Sequence, residues 1–229
     1  MKKIGLVGGT GPESTLMYYK ELNQRIDQMT GGKDMPDVAI ESVNFRRAWR
    51  YVEAADYEAL SDYIAEKVRA LKAGGAQVLS LTAVTMHVVL EEVEKKAGVA
   101  LVSIPKAVCE EVVSKGYQRV GLLGTIFTME QDYMKKDLRE AGVAVFVPEK
   151  ADRELIAKRI LEELELGIVK EETLKEFQAI IEKMKQEQGI EAVILGCTEL
   201  PLLLNADNCP VDCLDSVEIH LQKLINMAR

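Results

Sequence analysis

Short apolar runs recur along the chain, and each is followed by a longer stretch whose apolar residues return every three or four positions. Runs of Val, Ile and Leu without polar alternation predict strands covered on both faces. Their alternation with helical segments predicts βα units around mostly parallel sheets. Strands are expected at Ile4 to Val7, Val38 to Ser42, Gln77 to Leu81, Ala100 to Ser103, Val120 to Leu123, Ala144 to Val147 and Ala192 to Leu195. Between them, Tyr57 to Lys72 places Leu60, Ile64, Val68 and Leu71 on one stripe, and Met129 to Glu140 and Leu174 to Gln188 carry the same helical period. Glycines supply the stop signals at Gly74, Gly75, Gly142 and Gly189, and Thr128 and Thr173 are the expected caps of the last two helices.

The strand ends repeat. Ile4-Gly5-Leu6-Val7-Gly8-Gly9-Thr10 is echoed by Val120-Gly121-Leu122-Leu123-Gly124-Thr125, and Gln77-Val78-Leu79-Ser80-Leu81-Thr82-Ala83 by Glu191-Ala192-Val193-Ile194-Leu195-Gly196-Cys197. The two offsets, position 4 to 120 and position 77 to 191, nearly agree, which reads as a duplicated α/β unit. The expected fold is therefore α/β with two pseudo-symmetric lobes, each a mostly parallel sheet flanked by helices, one of residues 1–100 with 210–229 and the other of residues 101–209. Ligands of open parallel sheets bind beyond the carboxyl ends of the strands, so the expected site is a cleft between the halves.

Composition narrows the function. The 229 residues carry 37 acidic against 29 basic side chains, a formal charge of -8, with the charges interspersed. That excludes a phosphate-neutralising surface, so no nucleic acid is expected as partner. No apolar run reaches the roughly 18 to 20 residues that a membrane span needs, so no membrane partner is expected, and an untargeted cytoplasmic protein is the reading. Four cysteines, Cys109, Cys197, Cys209 and Cys213, are too few for a disulfide framework. Cys209 and Cys213 form a C-x3-C without a second ligand pair, so they are read as packing residues and no metal is expected.

Four strand ends carry candidate chemistry: Gly8-Gly9-Thr10, Thr82-Ala83-Val84-Thr85, Gly124-Thr125-x-x-Thr128 and Gly196-Cys197-Thr198-Glu199. Small and hydroxylic residues let backbone amides and hydroxyls approach a small anion closely. The segment GGTGPE is neither a G-x-G-x-x-G fingerprint nor a P-loop, which disfavours NAD and ATP. Cys197 stands out, because amides opening a following helix would lower its thiol pKa. The alternative is an inert, buried cysteine.

Five segments in order, IGLVGGTGPEST, ESVNF at Glu41 to Phe45, TMH at Thr85 to His87, LLGTIFTME at Leu122 to Glu130 and GCTELPLLL at Gly196 to Leu204, resemble the aspartate/glutamate racemase family over almost the whole chain. The resemblance implies a cofactor-independent amino-acid racemase, in which one cysteine from each lobe flanks the substrate Cα. One thiolate removes the weakly acidic proton and the opposite thiol delivers its replacement, while amides and hydroxyls hold the carboxylate that takes up carbanion charge.

The chain departs from that pattern in its first half. Relatives carry Cys-Asn-Thr-x-His or Thr-Asn-Thr-x-His, and alignment on Thr85-Met86-His87 puts Ala83 in place of the thiol and Val84 in place of the asparagine. Alanine transfers no proton, and Thr82 would reach the site only if the register slipped by one. The expectation is a racemase-like protein acting on aspartate or glutamate, an isomerase if active, with Cys197 as the catalytic residue. Its alternatives are a single-cysteine decarboxylase or isomerase of the same superfamily, and a silent binder of acidic amino acids. Substrate contacts are expected from Gly9, Thr10, Arg47, Thr82, Ala83, Val84, Thr85, Thr125, Thr128, Thr198 and Glu199. His87 is read as supporting the site, Glu13 and Ser14 as edging it, and His220 as structural. Neither metal nor pyridoxal phosphate is expected, and the family's habit implies a homodimer.

Overall fold

The apolar runs assemble into two parallel sheets, of order β2-β1-β3 and β5-β4-β6-β7, in a computed structural model that describes residues 1–229. Two units result, Met1–Ser103 with His220–Arg229, and Ile104–Ile219. The first holds β1 (Ile4–Gly8), α1 (Pro12–Thr30), β2 (Val38–Ser42), α2 (Phe45–Glu53), α3 (Tyr57–Ala73), β3 (Val78–Leu81), a 3-10 turn at Val84–Val89 and α4 (Leu90–Ala97). The second holds α5 (Ile104–Ser114), β4 (Arg119–Leu123), α6 (Ile126–Glu130), α7 (Lys136–Glu140), β5 (Ala144–Phe146), α8 (Lys150–Glu162), α9 (Glu171–Gln188), β6 (Ala192–Leu195) and β7 (Asp212–Asp215). The last helix, α10 (Ser216–Ala228), begins in the second unit and ends in the first.

Within each unit the echo has a structural counterpart. Ile4 pairs with Val78 across β1 and β3, and Val120 pairs with Ala192 across β4 and β6. These are the positions that the sequence repeat makes equivalent. Gly5 and Gly121 share a packing reason as well. A Cβ on Gly5 would lie 2.7 Å from Ala76 Cβ and 3.3 Å from Leu71 Cβ, and one on Gly121 would lie 3.0 Å from Ile190 Cδ1 and 3.2 Å from Met184 Cε. In both sheets the central strand is thus stripped to glycine where the helix before the next strand crosses it.

Five expectations are corrected. Ala100 to Ser103 makes only a single parallel bridge, Ser80 with Val102, because side chains occupy its ladder groups. Glu94 Oε1 accepts the Leu101 N–H at 2.7 Å, and Val102 O accepts from Ser80 Oγ at 2.6 Å and from His220 Nε2 at 3.1 Å. Segment 210–219, expected with the first lobe, instead supplies β7, which pairs with β6 in the second sheet. The helix expected over Met129 to Glu140 is two short helices, broken where the Lys135 ammonium donates to Met129 O at 2.9 Å and Glu130 O at 3.2 Å. Its cap is Thr125 rather than Thr128, and Thr173 caps nothing, since its hydroxyl donates to buried Glu163 at 2.5 Å.

His220 anchors α10 in the first unit. The carbonyl at Val102 requires the proton on Nε2, which Ser80 Oγ also accepts at 2.9 Å, so Nδ1 accepts from Tyr18 OH at 2.7 Å. Burial holds this ring neutral and depresses its pKa to about 3, with the neighbouring His87 adding to the effect. Burial likewise lowers His87 to about 4, although its Nδ1–H donates to Ala83 O at 3.1 Å and Val84 O at 3.2 Å. Both folded values lie below the unfolded value of about 6.5, so the unfolded chain binds more protons in that window and stability falls as pH drops below it. Urea titrations between pH 7 and pH 5 should therefore show unfolding free energy declining, with a limiting slope of about 1.4 kcal/mol per pH unit for each ring. His87→Gln should remove about half of the histidine contribution. A flat profile over that range would contradict the neutral assignment.

Candidate active site in the second unit

The carboxyl ends of β4 and β6 lie side by side, because Leu123 pairs with Leu195 and the Gly196 N–H donates to Leu123 O at 2.7 Å. Glycine follows each strand, and neither position accepts a side chain easily. A Cβ on Gly196 would stand 2.9 Å from Leu123 O and 3.0 Å from Thr128 Cγ2, and one on Gly124 would stand 3.0 Å from the same Thr128 methyl. The two strand ends and Thr128 therefore close-pack, which places Thr125 and Cys197, each one residue farther along, on the same edge of the sheet.

Cys197 is half-buried, and its thiol donates to Glu199 Oε2 at 2.9 Å. Thr198 Oγ1 donates to the other oxygen, Glu199 Oε1, at 2.6 Å, so the carboxylate is gripped by the two residues that precede it. No helix of the expected kind follows; the chain enters a three-residue 3-10 turn at Leu200–Leu202. Burial above all, then the Glu199 carboxylate that accepts from the thiol and, more weakly, Glu165 disfavour the thiolate, and the Glu199 amide offsets them only in part. The thiol is pushed well above the ordinary cysteine range. This corrects the expectation of a lowered pKa: burial, with two carboxylates adding to it, outweighs the amide, and Cys197 is a protonated thiol at neutral pH.

Beside it, Thr125 Oγ1 accepts the Thr128 N–H at 3.2 Å as the cap of α6 and donates to Thr128 Oγ1 at 3.1 Å, which in turn meets Tyr133 OH at 2.9 Å. Tyr133 and Glu165 were not among the expected site residues. Glu165 stands in a turn at Leu164–Leu166 with no motif around it, and its carboxyl is itself raised by burial and by Glu199. The spacing of Tyr133, five residues beyond Thr128, was the one available signal for that residue.

The first unit gathers its candidates on the equivalent edge of its own sheet. Gly9 adopts φ +83, and a Cβ there would meet Ser42 Oγ at 2.4 Å and Val43 O at 2.5 Å, so this turn requires glycine. Its N–H donates to Thr15 Oγ1 at 2.9 Å, and Thr10 is half-buried beside it. Thr82 is fully buried, with its hydroxyl 3.4 Å from both Val7 O and Thr15 Oγ1, so it points into the unit and does not replace the missing thiol. Ala83 and Val84 are 8% and 6% exposed and hold His87 through their carbonyls, while Thr85 is half-buried in the turn. Ser14 is buried, its hydroxyl donating to Thr82 O at 2.7 Å, and Glu13 is exposed in the first turn of α1. Arg47 is exposed on α2, its Nε donating to Tyr51 OH at 3.1 Å and its guanidinium 4.4 Å from the Tyr63 ring centroid. All four cysteines belong to the second unit.

The chain belongs to the Asp/Glu/Hydantoin racemase family, whose pattern it matches over residues 7–224. Among solved structures it resembles a provisionally named Asp/Glu racemase from Yersinia pestis, 33% identical, covering 100% of this chain and 99% of that one with a TM-score of 0.94. It also resembles PH1733, an aspartate racemase homologue from Pyrococcus horikoshii, 39% identical, with 100% and 99% coverage and a TM-score of 0.89. Arylmalonate decarboxylase shares the fold alone, at 13% identity, 100% and 93% coverage and a TM-score of 0.57. No helix is long and apolar enough to cross a membrane.

Replacing the acceptor tests the electrostatics. Glu199→Gln removes a negative charge beside the sulfur, so the pH at which Cys197 becomes reactive toward iodoacetamide should fall. Peptide mapping after alkylation at stepped pH values reads the shift. An unchanged profile would show that Glu199 does not control the thiol.

Proposed function

We propose that this protein catalyses proton transfer at Cα of aspartate or glutamate without a cofactor, with Cys197 as the proton carrier. The observation that carries the reading is a thiol kept protonated by Glu199 on a strand edge lined with threonine hydroxyls. An amino acid suits that edge chemically. Its ammonium group matches the carboxylates of Glu199 and Glu165, and its carboxylate matches the hydroxyls of Thr125 and Thr198. A bound ammonium would also offset the charges that hold the proton on sulfur, so the thiolate becomes accessible once substrate is present. The Cα–H pair then stays on carbon as the proton moves to sulfur, and the carbanion is delocalised into the α-carboxylate. Return of the proton, after exchange with solvent, restores the amino acid and leaves the thiolate, which takes up a proton from solvent again when the ligand departs.

Racemisation needs a second carrier on the other face, and at the position where the resemblance puts it this chain carries Ala83 in place of a sulfur or a hydroxyl. The reading is therefore one-sided: exchange outruns inversion. In deuterated water, NMR should show deuterium entering Cα of aspartate or glutamate faster than the opposite enantiomer appears, and Cys197→Ser should slow entry by at least about 100-fold. Ala83→Cys with Val84→Asn should raise inversion relative to exchange. Inversion equal to exchange in the unaltered protein would mean that a second carrier exists, and binding without exchange would make the protein a silent binder; either result overturns this reading.

A second reading has one observation in its favour. A thiol protonated at rest is the form that quenches a carbanion generated by loss of carbon dioxide, and carbon dioxide release from substituted malonates would identify that activity.

A further inference from the structure

We propose that Ser216 is a positioning residue for Cys197: its buried hydroxyl fixes the peptide unit from which the sulfur-bearing residue leaves β6. The consequence for rate rests on the reading of Cys197 as proton carrier, whereas the placement of the thiol is measurable without any activity. Ser216 opens α10 and is fully buried. Its Oγ donates to Leu195 O at 2.6 Å, and Leu195 is the last residue of β6. The N–H of the same peptide unit, on Gly196, donates to Leu123 O of β4 at 2.7 Å. One peptide plane is therefore gripped at both polar ends, by β4 on one side and by the start of α10 on the other. Cys197 follows it immediately.

A side chain serves here because the backbone turns away. Leu195 and Asp215 are the last register pair of β6 and β7, and Ser216 is already helical. The next two N–H groups, those of Val217 and Glu218, are taken by Asp215 Oδ1 at 2.8 Å and 3.2 Å. Asp215 thus caps the helix, and the Ser216 hydroxyl adds one bond to β6 across the change from strand to helix. That bond falls where the chain restrains itself least. Gly196 has no side chain and an unusually broad choice of backbone conformations, and the position stays glycine because a Cβ would stand 2.9 Å from Leu123 O. Hydrogen bonds to its peptide therefore fix the direction in which Cys197 sets out, and from there the thiol meets Glu199 Oε2 at 2.9 Å. A buried carbonyl that loses a donor is costly, so without the hydroxyl the peptide reorients toward another one and carries the thiol away from Glu199.

Cys197 is read in the intact protein in two ways, by iodoacetamide alkylation at stepped pH with peptide mapping and by deuterium entry at Cα of aspartate or glutamate. In Ser216→Ala the thiol leaves its carboxylate, so alkylation at pH 8 should quicken by about tenfold. Exchange should lose about tenfold or more in kcat with KM little changed, because the carrier moves while the ligand's own contacts remain. Ser216→Thr, which keeps the hydroxyl, should retain native behaviour in both. Ser61→Ala deletes an equally buried hydroxyl, bonded to Glu58 O at 2.8 Å in the first unit, and should leave both readings native, which separates positioning from a general loss of stability. Should circular dichroism show the alanine chain unfolded, Ser216→Cys, of similar volume and only a weak donor, is read in its place. An unmoved alkylation profile in Ser216→Ala, an equal displacement in Ser61→Ala, or the alanine profile in a stably folded Ser216→Thr would each overturn the proposal. Displaced alkylation in a protein whose native form exchanges no deuterium upholds Ser216 and overturns the catalytic reading instead, so the two failures are distinguishable.

Discussion

The hydrogen bond from the Cys197 thiol to Glu199 sets the chemical character of the second unit's strand edge. A free cysteine after a parallel strand is commonly imagined as an activated thiolate, drawn down by backbone amides. Here burial and a carboxylate two residues away hold the proton on sulfur against any pull from the neighbouring amide. The resting state is therefore an acid, and the surrounding structure serves to keep it so. Gly124 and Gly196 let β4 and β6 close-pack at their ends against Thr128, Thr125 caps α6, and Thr198 steadies the carboxylate that holds the thiol proton.

The two units show what duplication preserved and what it released. Strand order and register agree within both sheets, and glycine recurs wherever a helix crosses the central strand. The edges have diverged. In the second unit β7 completes the sheet beside β6, whereas in the first the equivalent neighbour of β3 is a single bridge. There the polar groups of Ser80 and Val102 are satisfied by His220 instead of by a ladder, and a buried neutral ring takes over a strand's work in tying α10 to the sheet. The first unit holds no cysteine, and its strand end carries an apolar Ala83-Val84 pair whose carbonyls hold a second buried histidine.

Much of this was legible from the amino-acid pattern, and the exceptions share a cause. The buried strands β1, β3, β4 and β6 announce themselves as apolar runs, and the partly exposed edge strands β2 and β5 still carry enough Val, Ile and Ala to be placed. The edge strand β7 reads Asp-Cys-Leu-Asp, with one buried side chain, and gives no such signal. Conversely, Ala100 to Ser103 has the composition of a strand, but Glu94, Ser80 and His220 claim its backbone groups, an outcome that depends on side chains distant in sequence. The same limit applies to the site. Cys197 and its threonines stood out by motif, whereas the direction of the thiol's pKa depended on Glu199 turning back toward it and on Glu165, which lies 32 positions earlier in a turn without pattern. Thr82 could reach the site only if the register slipped by one, and its hydroxyl lies instead 3.4 Å from both Val7 O and Thr15 Oγ1, inside the unit.

Ligand protection probes the central claim most directly, because it asks whether an acidic amino acid meets this sulfur at all. Saturating aspartate or glutamate should change the rate of Cys197 alkylation in the intact protein while leaving Cys209, the internal control, unaffected. Identical Cys197 reactivity with and without either amino acid, in both enantiomers and up to concentrations that saturate measured binding, would contradict the account.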